Sequence, residues 1–150
     1  MEKNKKTGKW KQKVPVISQE CLASGVYSMW IEAADMAAAA RAGQFFSLYT
    51  KDASRLLPRP ISICEIDREQ GRLRFVYRVA GAGTKEFSRY CPGDDITVLG
   101  PLGNGFPVEE DPKRRAFLVG GGIGIPPMLQ LAKELSCEKQ ILLGYRDELF

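Results

Sequence analysis

The sequence has 150 residues, enough for one domain or for one domain and part of another. Its hydrophobic content of 44% and charged content of 27% are typical of globular proteins. No apolar run approaches the roughly 20 residues of a membrane helix, and the amino terminus lacks a signal-peptide core, so we expect a cytoplasmic protein that does not enter a membrane. It has no histidine, which excludes Ser-His and Cys-His nucleophiles, so any enzymatic chemistry is expected from a cofactor.

The net charge and the spacing of the cysteines limit the kinds of ligand and metal site that we expect. The net charge of +4 suits phosphate ligands but does not by itself indicate nucleic acid. The four cysteines are Cys21, Cys64, Cys91 and Cys137, and none has C-x-x-C spacing. We therefore expect neither a metal site nor a disulfide framework from this chain alone. Cys64 lies in an apolar strand pattern and is expected in the core.

Residues 1–13 carry six lysines against one acidic residue, Glu2. We interpret this segment as a solvated basic arm rather than as a nucleic-acid or membrane tail. Trp10 is its only aromatic residue, which is too few for a base-stacking platform.

Residues 14–111 show short apolar segments with turn signals between them, a pattern that predicts an antiparallel β-barrel. The predicted strands cover 14–21, 26–33, 44–50, 61–67, 72–79 and 96–99. The alanine-rich segment 35–41 is too short for a stable isolated helix, so we expect a loop. A short helix over 84–90 is predicted, with Thr84 as its N-cap.

Residues 112–150 have a different pattern. The apolar run 116–119 is typical of a buried parallel strand, and a glycine-rich turn, an amphipathic helix to 135 and a strand over 140–143 follow it. This predicts the first β-α-β unit of an α/β nucleotide-binding domain, although strict G-x-G-x-x-G spacing is not met. Two strands and one helix cannot bury a core alone, so we expect a longer chain or a partner to complete this domain.

The segment Arg59-Pro60-Ile61-Ser62 combines a cation and a hydroxyl on a stiff backbone. Pro58 and Pro60 fix their own φ angles and favour extended geometry in the residues before them. A guanidinium can bind a phosphate through two parallel hydrogen bonds, and a hydroxyl three residues away can bind a polar ring edge. Four residues alone are weak evidence, because an edge strand with a surface arginine has the same pattern.

Further motifs follow in a fixed order: Phe75-Val76-Tyr77-Arg78-Val79, Gly81-Ala82-Gly83-Thr84, Gly100-Pro101-Leu102-Gly103-Asn104-Gly105-Phe106 and Gly120-Gly121-Gly122-Ile123-Gly124-Ile125-Pro126-Pro127. Together with the Arg59 motif, they resemble the ferredoxin-reductase superfamily of flavoproteins. More narrowly, the chain is similar to the electron-transfer subunits of type B dihydroorotate dehydrogenase. The resemblance covers nearly the whole chain from Val14 onward.

The resemblance implies cofactor positions but no catalytic side chain and no metal ligand. It places FAD against Arg59, Pro60, Ile61, Ser62, Val76, Tyr77, Arg78, Gly83 and Thr84. It places the pyrophosphate of NADH at Gly120, Gly121, Gly122, Ile123 and Gly124. In this arrangement Arg59 neutralises the FAD pyrophosphate, and Ser62 hydrogen-bonds the flavin edge near N5.

By the same resemblance, the chain would pass electrons from NADH through FAD to an FMN-containing dihydroorotate dehydrogenase catalytic subunit in a hetero-oligomer. Full-length members of the family also hold a [2Fe-2S] cluster in a cysteine-rich segment. This sequence departs from the family because it contains no such segment. It also has Pro58 where related sequences commonly have a basic residue.

Three alternatives remain open at this stage. The chain could be a subunit of a related NAD(P)H–ferredoxin or sulfide-type oxidoreductase. It could be a basic small-barrel module that binds nucleic acid, which predicts exposed aromatic residues interleaved with basic ones. It could also be a module that holds no cofactor, because its second domain is incomplete.

Overall fold

The computed structural model describes residues 10–108, 111 and 113–150. Six antiparallel strands form a closed barrel in the order β1-β2-β5-β4-β3-β6. These strands are β1 (Trp10–Ala23), β2 (Val26–Glu32), β3 (Phe45–Tyr49), β4 (Arg59–Asp67), β5 (Arg72–Arg78) and β6 (Asp95–Leu102). Residues 1–9 of the predicted basic arm lie outside the described residues.

The barrel interior follows the alternation of side chains along each strand. In β5, the side chains of Leu73, Phe75 and Tyr77 are buried, as the sequence pattern predicts. The ring of Phe46 on β3 meets the ring of Phe75 edge to face, with 5.5 Å between centroids. Aromatic pairs in this geometry add to the free energy gained by burying their area. The interior is therefore a packed aromatic and aliphatic core.

Two strands of the barrel begin two or more residues earlier than predicted. β1 starts at Trp10, because residues 10–15 pair with residues 95–100 of β6. Residues 10–13 therefore belong to the barrel rather than to the basic arm. β4 starts at Arg59, because Leu48 of β3 pairs with it. This places the whole Arg59-Pro60-Ile61-Ser62 segment on a barrel strand.

The prediction of a loop at 35–41 is wrong. Ala34–Ala39 forms a short helix, α1, and its Met36 and Ala37 are fully buried. A helix of six residues is unstable in isolation. Here packing against the barrel supplies the stabilisation that the isolated segment lacks, and the sequence pattern does not show that packing.

The second helix, α2 (Ala82–Phe87), begins two residues earlier than predicted, with Gly81 as its N-cap. The prediction of Thr84 as N-cap is therefore wrong. Its hydroxyl instead reaches back and accepts hydrogen bonds from the N–H groups of Ala80 (2.9 Å) and Gly81 (3.2 Å). Thr84 is buried and closes the turn between β5 and α2 from inside the helix.

The β-α-β unit is present as predicted. It consists of β7 (Arg115–Gly121), a single 3-10 turn (Gly122–Gly124), α3 (Pro126–Glu134) and β8 (Glu138–Gly144). β7 and β8 pair in parallel. The predicted fold class, a mainly β chain with an antiparallel barrel followed by this unit, is thus confirmed. No helix in the described part of the chain is long and apolar enough to cross a membrane.

Helix α3 is fixed to the barrel by polar contacts. Strand β4 has an irregularity between Ile63 and Glu65, and Oε1 of the buried Gln130 accepts a hydrogen bond from the N–H of Ile66 (2.7 Å). Lys133 forms an ion pair with Glu65. Because an irregularity removes strand partners, a side chain from outside the sheet can satisfy the freed backbone group. α3 therefore lies on the strand that carries the Arg59 motif.

Cys64 is buried on the side of β4 nearest α3, as the sequence predicts. Burial raises the pKa of its thiol to about 11. The thiol is therefore protonated at neutral pH and acts as a small apolar side chain.

Candidate functional site

One cleft of about 390 Å³ on the outside of the barrel brings together most of the predicted cofactor-binding residues. Its lining comprises Arg59, Pro60, Ile61, Ser62, Val76, Tyr77, Arg78, Ala80, Thr84 and Ile123. These residues come from β4, β5, the turn into α2 and the glycine-rich turn after β7. Segments separated by more than sixty residues thus meet at one surface.

Arg59 is held at one end of the cleft. Its Nη1 donates a hydrogen bond to the carbonyl oxygen of Leu57 (2.7 Å), which orients the guanidinium. Among the described residues, no carboxylate forms an ion pair with Arg59 or with Arg78. Two guanidinium groups in one cleft offer charged donors to an anionic ligand.

Gly83 explains why the guanidinium can lie against α2. A Cβ atom at this position would lie 2.8 Å from Nε of Arg59 and 3.2 Å from its Cζ. Real Cβ contacts are almost never as short as 2.8 Å, so any other residue here would displace the flexible Arg59 side chain from the position it occupies. Gly83 does not itself line the cleft, and its role in the structure is to admit the Arg59 side chain.

The middle of the cleft combines a hydroxyl, an apolar side chain and a cation. Ser62 is exposed on β4, Val76 is buried on β5, and Arg78 is exposed at the end of β5. The three residues lie on adjacent, antiparallel strands. The arrangement can therefore accommodate a ligand that is apolar on its face and polar at its edge.

Tyr77 does not offer its side chain to the cleft. It is 1% exposed, its hydroxyl accepts a hydrogen bond from Nε2 of Gln19 (3.0 Å), and its ring packs edge to face against Phe87. Burial raises the pKa of the Tyr77 hydroxyl above its ordinary value, so the group is neutral at physiological pH. Its side chain supports the barrel wall behind the cleft.

The glycines at 120–124 differ in how much space surrounds them: Gly120 is packed against α3, and the others are not. A Cβ atom at Gly120 would lie 3.1 Å from Cγ of Met128, so this residue admits close packing of α3. Gly121, Gly122 and Gly124 have nothing within 4 Å of such an atom, and Gly122 has a positive φ of +51°. Only Ile123 of this turn lines the cleft. The open glycines present backbone beside the cleft rather than within it.

Sequence reasoning missed two parts of the site. Ala80 lines the cleft, and Glu86 on α2 binds the loop that precedes β4. Glu86 Oε1 accepts hydrogen bonds from the N–H of Lys51 (2.6 Å) and from the Tyr90 hydroxyl (2.7 Å). Neither residue belongs to a recognisable sequence motif. Their places in the site depend on contacts between segments that are distant in sequence, such as that between Glu86 and Lys51.

No protein-family model matches the chain. Curated relatives do. The chain is 46% identical over 121 residues to the dihydroorotate dehydrogenase B (NAD(+)) electron transfer subunit of Streptococcus pneumoniae (80% of this chain, 47% of the relative). It is 42% identical over 143 residues to the subunit of that name in Streptococcus mutans (92% of this chain, 55% of the relative). The predicted family resemblance is confirmed. The chain spans about half the length of these curated relatives.

Solved structures support the same fold. The structure of the NADH-dependent reduced ferredoxin-NADP oxidoreductase matches with a TM-score of 0.82 and 30% identity, over 90% of this chain and 49% of that one. Phthalate dioxygenase reductase matches with a TM-score of 0.68 and 24% identity, over 90% of this chain and 43% of that one. The second match shows the fold alone. Both structures share the barrel fold described above.

Proposed function

We propose that this chain binds FAD in the barrel cleft and transfers electrons between NADH and a dihydroorotate dehydrogenase catalytic subunit that carries FMN. The curated relatives named as electron transfer subunits of that enzyme support the assignment. In this proposal the barrel and the segment that follows it, up to residue 111, form the FAD-binding unit, with residues 10–13 as the start of β1. Residues 112–150 begin the NAD-binding unit, and the basic arm is confined to residues 1–9.

The observation that carries the proposal is the single cleft in which the Arg59 motif, β5, the turn into α2 and Ile123 meet. Its residues fit FAD chemically. Arg59 and Arg78 supply positive charge for a pyrophosphate, and Gly83 leaves the space in which the Arg59 guanidinium lies. Ser62 supplies a hydroxyl at the position where the resemblance places the flavin edge, and Val76 supplies an apolar contact for a ring face.

Each residue has a separate task in this assignment. Arg59 would bind the pyrophosphate through charge-assisted hydrogen bonds, which are stronger than neutral ones. Ser62 would hold the polar edge of the isoalloxazine ring, and Thr84, which lines the cleft, would lie near the phosphates. Gly83 would contribute by leaving space for the Arg59 side chain. When bound, FAD supplies the conversion between two-electron and one-electron transfer. The protein binds and orients the cofactor and limits its contact with water.

The glycine-rich turn would meet the pyrophosphate of NADH. Gly121, Gly122 and Gly124 leave their backbone open, and a ligand phosphate needs such close approach to backbone N–H groups. Ile123 borders the FAD cleft from the same turn, so the turn and the cleft are adjacent. This adjacency is what hydride transfer between two bound cofactors requires.

The proposal assigns no [2Fe-2S] cluster to the described residues. Among them, no three histidine, cysteine, aspartate or glutamate side chains lie close enough together to hold a metal ion. A second candidate is a subunit of an NAD(P)H–ferredoxin type oxidoreductase, which the 30% identity to the NADH-dependent reduced ferredoxin-NADP oxidoreductase favours. The nucleic-acid alternative has less support, because Phe46, Phe75 and Tyr77 are buried in the barrel and cannot stack on bases.

The proposed function is tested by the visible absorption spectrum of the purified chain after incubation with FAD and removal of free cofactor. We expect flavin bands at a stoichiometry near one FAD per chain. Mixing the FAD-loaded chain with an FMN-containing dihydroorotate dehydrogenase catalytic subunit and applying gel filtration then tests the partner. Absence of bound flavin would contradict the FAD site, and bound flavin without co-elution would favour the ferredoxin-type candidate.

We expect Gly83→Ala to weaken FAD binding about tenfold, since the added Cβ would displace the Arg59 guanidinium by contact at Nε. The gain in helix propensity from alanine is offset by the displacement of the Arg59 side chain, so we expect little change in the free energy of unfolding. Quenching of flavin fluorescence measures the affinity, and urea unfolding measures the stability.

Gly81→Ala is the matched control, because a Cβ atom at Gly81 has nothing within 4 Å. We expect this variant to bind FAD with an affinity close to that of the wild type. Equal losses of FAD affinity in the two alanine variants would show that the contact between Gly83 and Arg59 does not shape the site.

A further inference from the structure

Helix α3 contacts two different parts of the molecule. On one side it packs on its own sheet, where a Cβ atom at Gly120 would lie 3.1 Å from Cγ of Met128. On the other side it meets strand β4 of the barrel through Gln130, which is only 2% exposed. The polar side of a helix that covers one sheet usually faces water. The buried glutamine shows that this side of α3 is instead a specific contact with the barrel.

Both ends of the Gln130 amide are hydrogen-bonded. Its Oε1 accepts a hydrogen bond from the N–H of Ile66 (2.7 Å), and its Nε2 donates to Oε1 of Glu134 (3.0 Å). Glu134 also accepts hydrogen bonds from Nη2 of Arg68 (3.3 Å) and from the N–H of Ala42 (3.3 Å). A buried amide costs free energy unless its groups are paired, so this set of contacts favours one position of α3 on the barrel.

The contact between Gln130 and Ile66 joins two segments that line the cleft. Ile66 lies four residues after Ser62 on β4, about 13 Å along an extended strand. Ile123 lies seven residues before Gln130, about 11 Å along the 3-10 turn and α3. Ser62 and Ile123 both line the cleft. A movement of α3 along β4 would therefore move Ile123 relative to Ser62.

The ion pair beside this hydrogen bond holds α3 less firmly. Lys133 pairs with Glu65, which also accepts a hydrogen bond from Nη1 of Arg74 (3.3 Å). The Lys133 side chain is 50% exposed, and ion pairs in contact with water contribute little to stability. The position of α3 therefore depends mainly on the buried Gln130.

We propose that Gln130 is a positioning residue for the cleft. By holding α3 on β4, it keeps Ile123 against the cleft and limits the access of water to the bound flavin, although Gln130 does not line the cleft itself. This inference rests on the proposed function, because it takes FAD as the ligand. Exclusion of water strengthens the electrostatic interactions in a site and prevents side reactions of the cofactor.

The test is quenching of the fluorescence of bound FAD by iodide ion, with free FAD as the reference for full exposure. We expect Gln130→Ala to raise the iodide quenching constant about threefold, because α3 then exchanges between positions that cover and uncover the flavin. Its FAD affinity is expected to stay within about threefold of the wild-type value, since Arg59 and Ser62 remain in place. Urea unfolding shows whether each variant is folded under the conditions of the measurement.

Two further variants separate the hydrogen bond from a general effect on stability. Gln140→Ala removes an exposed glutamine of β8 in the same β-α-β unit and should leave the quenching constant unchanged. Gln130→Glu/Glu134→Gln exchanges the acid and the amide, so the carboxylate at position 130 can still accept from the Ile66 N–H. We expect this exchange variant to restore low quenching, whereas Gln130→Glu alone places two carboxylates side by side and should not.

The outcomes distinguish the inference from the function on which it rests. A quenching constant of Gln130→Ala equal to the wild-type value, with FAD bound, would overturn the positioning role and leave the FAD site intact. High quenching in the exchange variant would also overturn it. If Gln130→Ala does not fold, the comparison of Gln130→Glu with the exchange variant decides in its place. A wild-type chain that binds no FAD would overturn the proposed function together with the inference.

Discussion

Replacement of Arg59 by alanine is expected to reduce FAD affinity about 30- to 1,000-fold, which corresponds to about 2–4 kcal/mol for two lost charge-assisted hydrogen bonds. Among the described residues this guanidinium has a single protein acceptor, the carbonyl oxygen of Leu57, and no carboxylate partner. Its remaining N–H groups are therefore available to a pyrophosphate. Fluorescence titration with FAD measures the loss.

Two further variants separate a binding role from a general effect. Arg59→Lys keeps the charge but not the fork of donors, so we expect an intermediate affinity. Arg41→Ala removes an exposed arginine whose side chain makes no hydrogen bond or ion pair with the residues that the structure describes, and it should bind FAD as the wild type does. Arg59→Ala with an FAD affinity within threefold of the wild type would show that the pyrophosphate lies elsewhere.

The largest expected effect on stability is that of Phe46→Ala, a loss of about 3–5 kcal/mol in the free energy of unfolding. The Phe46 ring is fully buried, packs against Phe75, and lies over Gly100, where an added Cβ would be 2.3 Å from Cδ1 of Phe46. Removal of the ring therefore leaves a cavity bordered by Phe75 and by Gly100, which has no side chain to fill it. Small domains have only about 5–15 kcal/mol of stability, so this loss is a large fraction.

The loss would also reach the cleft. Phe46 pairs with Ile61, and Phe45 pairs with Ser62, so β3 is the hydrogen-bonded neighbour of the strand that contains the Arg59 motif. A shift of β3 would therefore move that motif. Urea unfolding followed by tryptophan fluorescence measures the change. Phe117→Ala is the matched control, since this ring is 61% exposed and its removal leaves no cavity. Similar unfolding midpoints for the two alanine variants would contradict the packing described for Phe46.

The sequence by itself determined the fold class, and its resemblance to a known family named most of the residues that line the cleft. Alternation in Leu73, Phe75 and Tyr77 predicts a strand with one buried face, and the structure confirms it. Prolines around Arg59 predict an extended segment, which lies on β4. These features are local, because the period of side chains along a strand and the φ angle of proline depend only on neighbouring residues.

Only the tertiary structure decided the features that depend on distant contacts. The helix α1 forms because Met36 and Ala37 are buried against the barrel. Thr84 is the third residue of α2, where its hydroxyl caps the backbone of Gly81, rather than the N-cap residue itself. The Tyr77 ring faces inward to Gln19, although its position in the motif suggested a ligand contact. Glu86 holds a loop more than thirty residues away in sequence. The local sequence cannot specify such contacts, because their free energy arises only when the closed barrel brings the segments together.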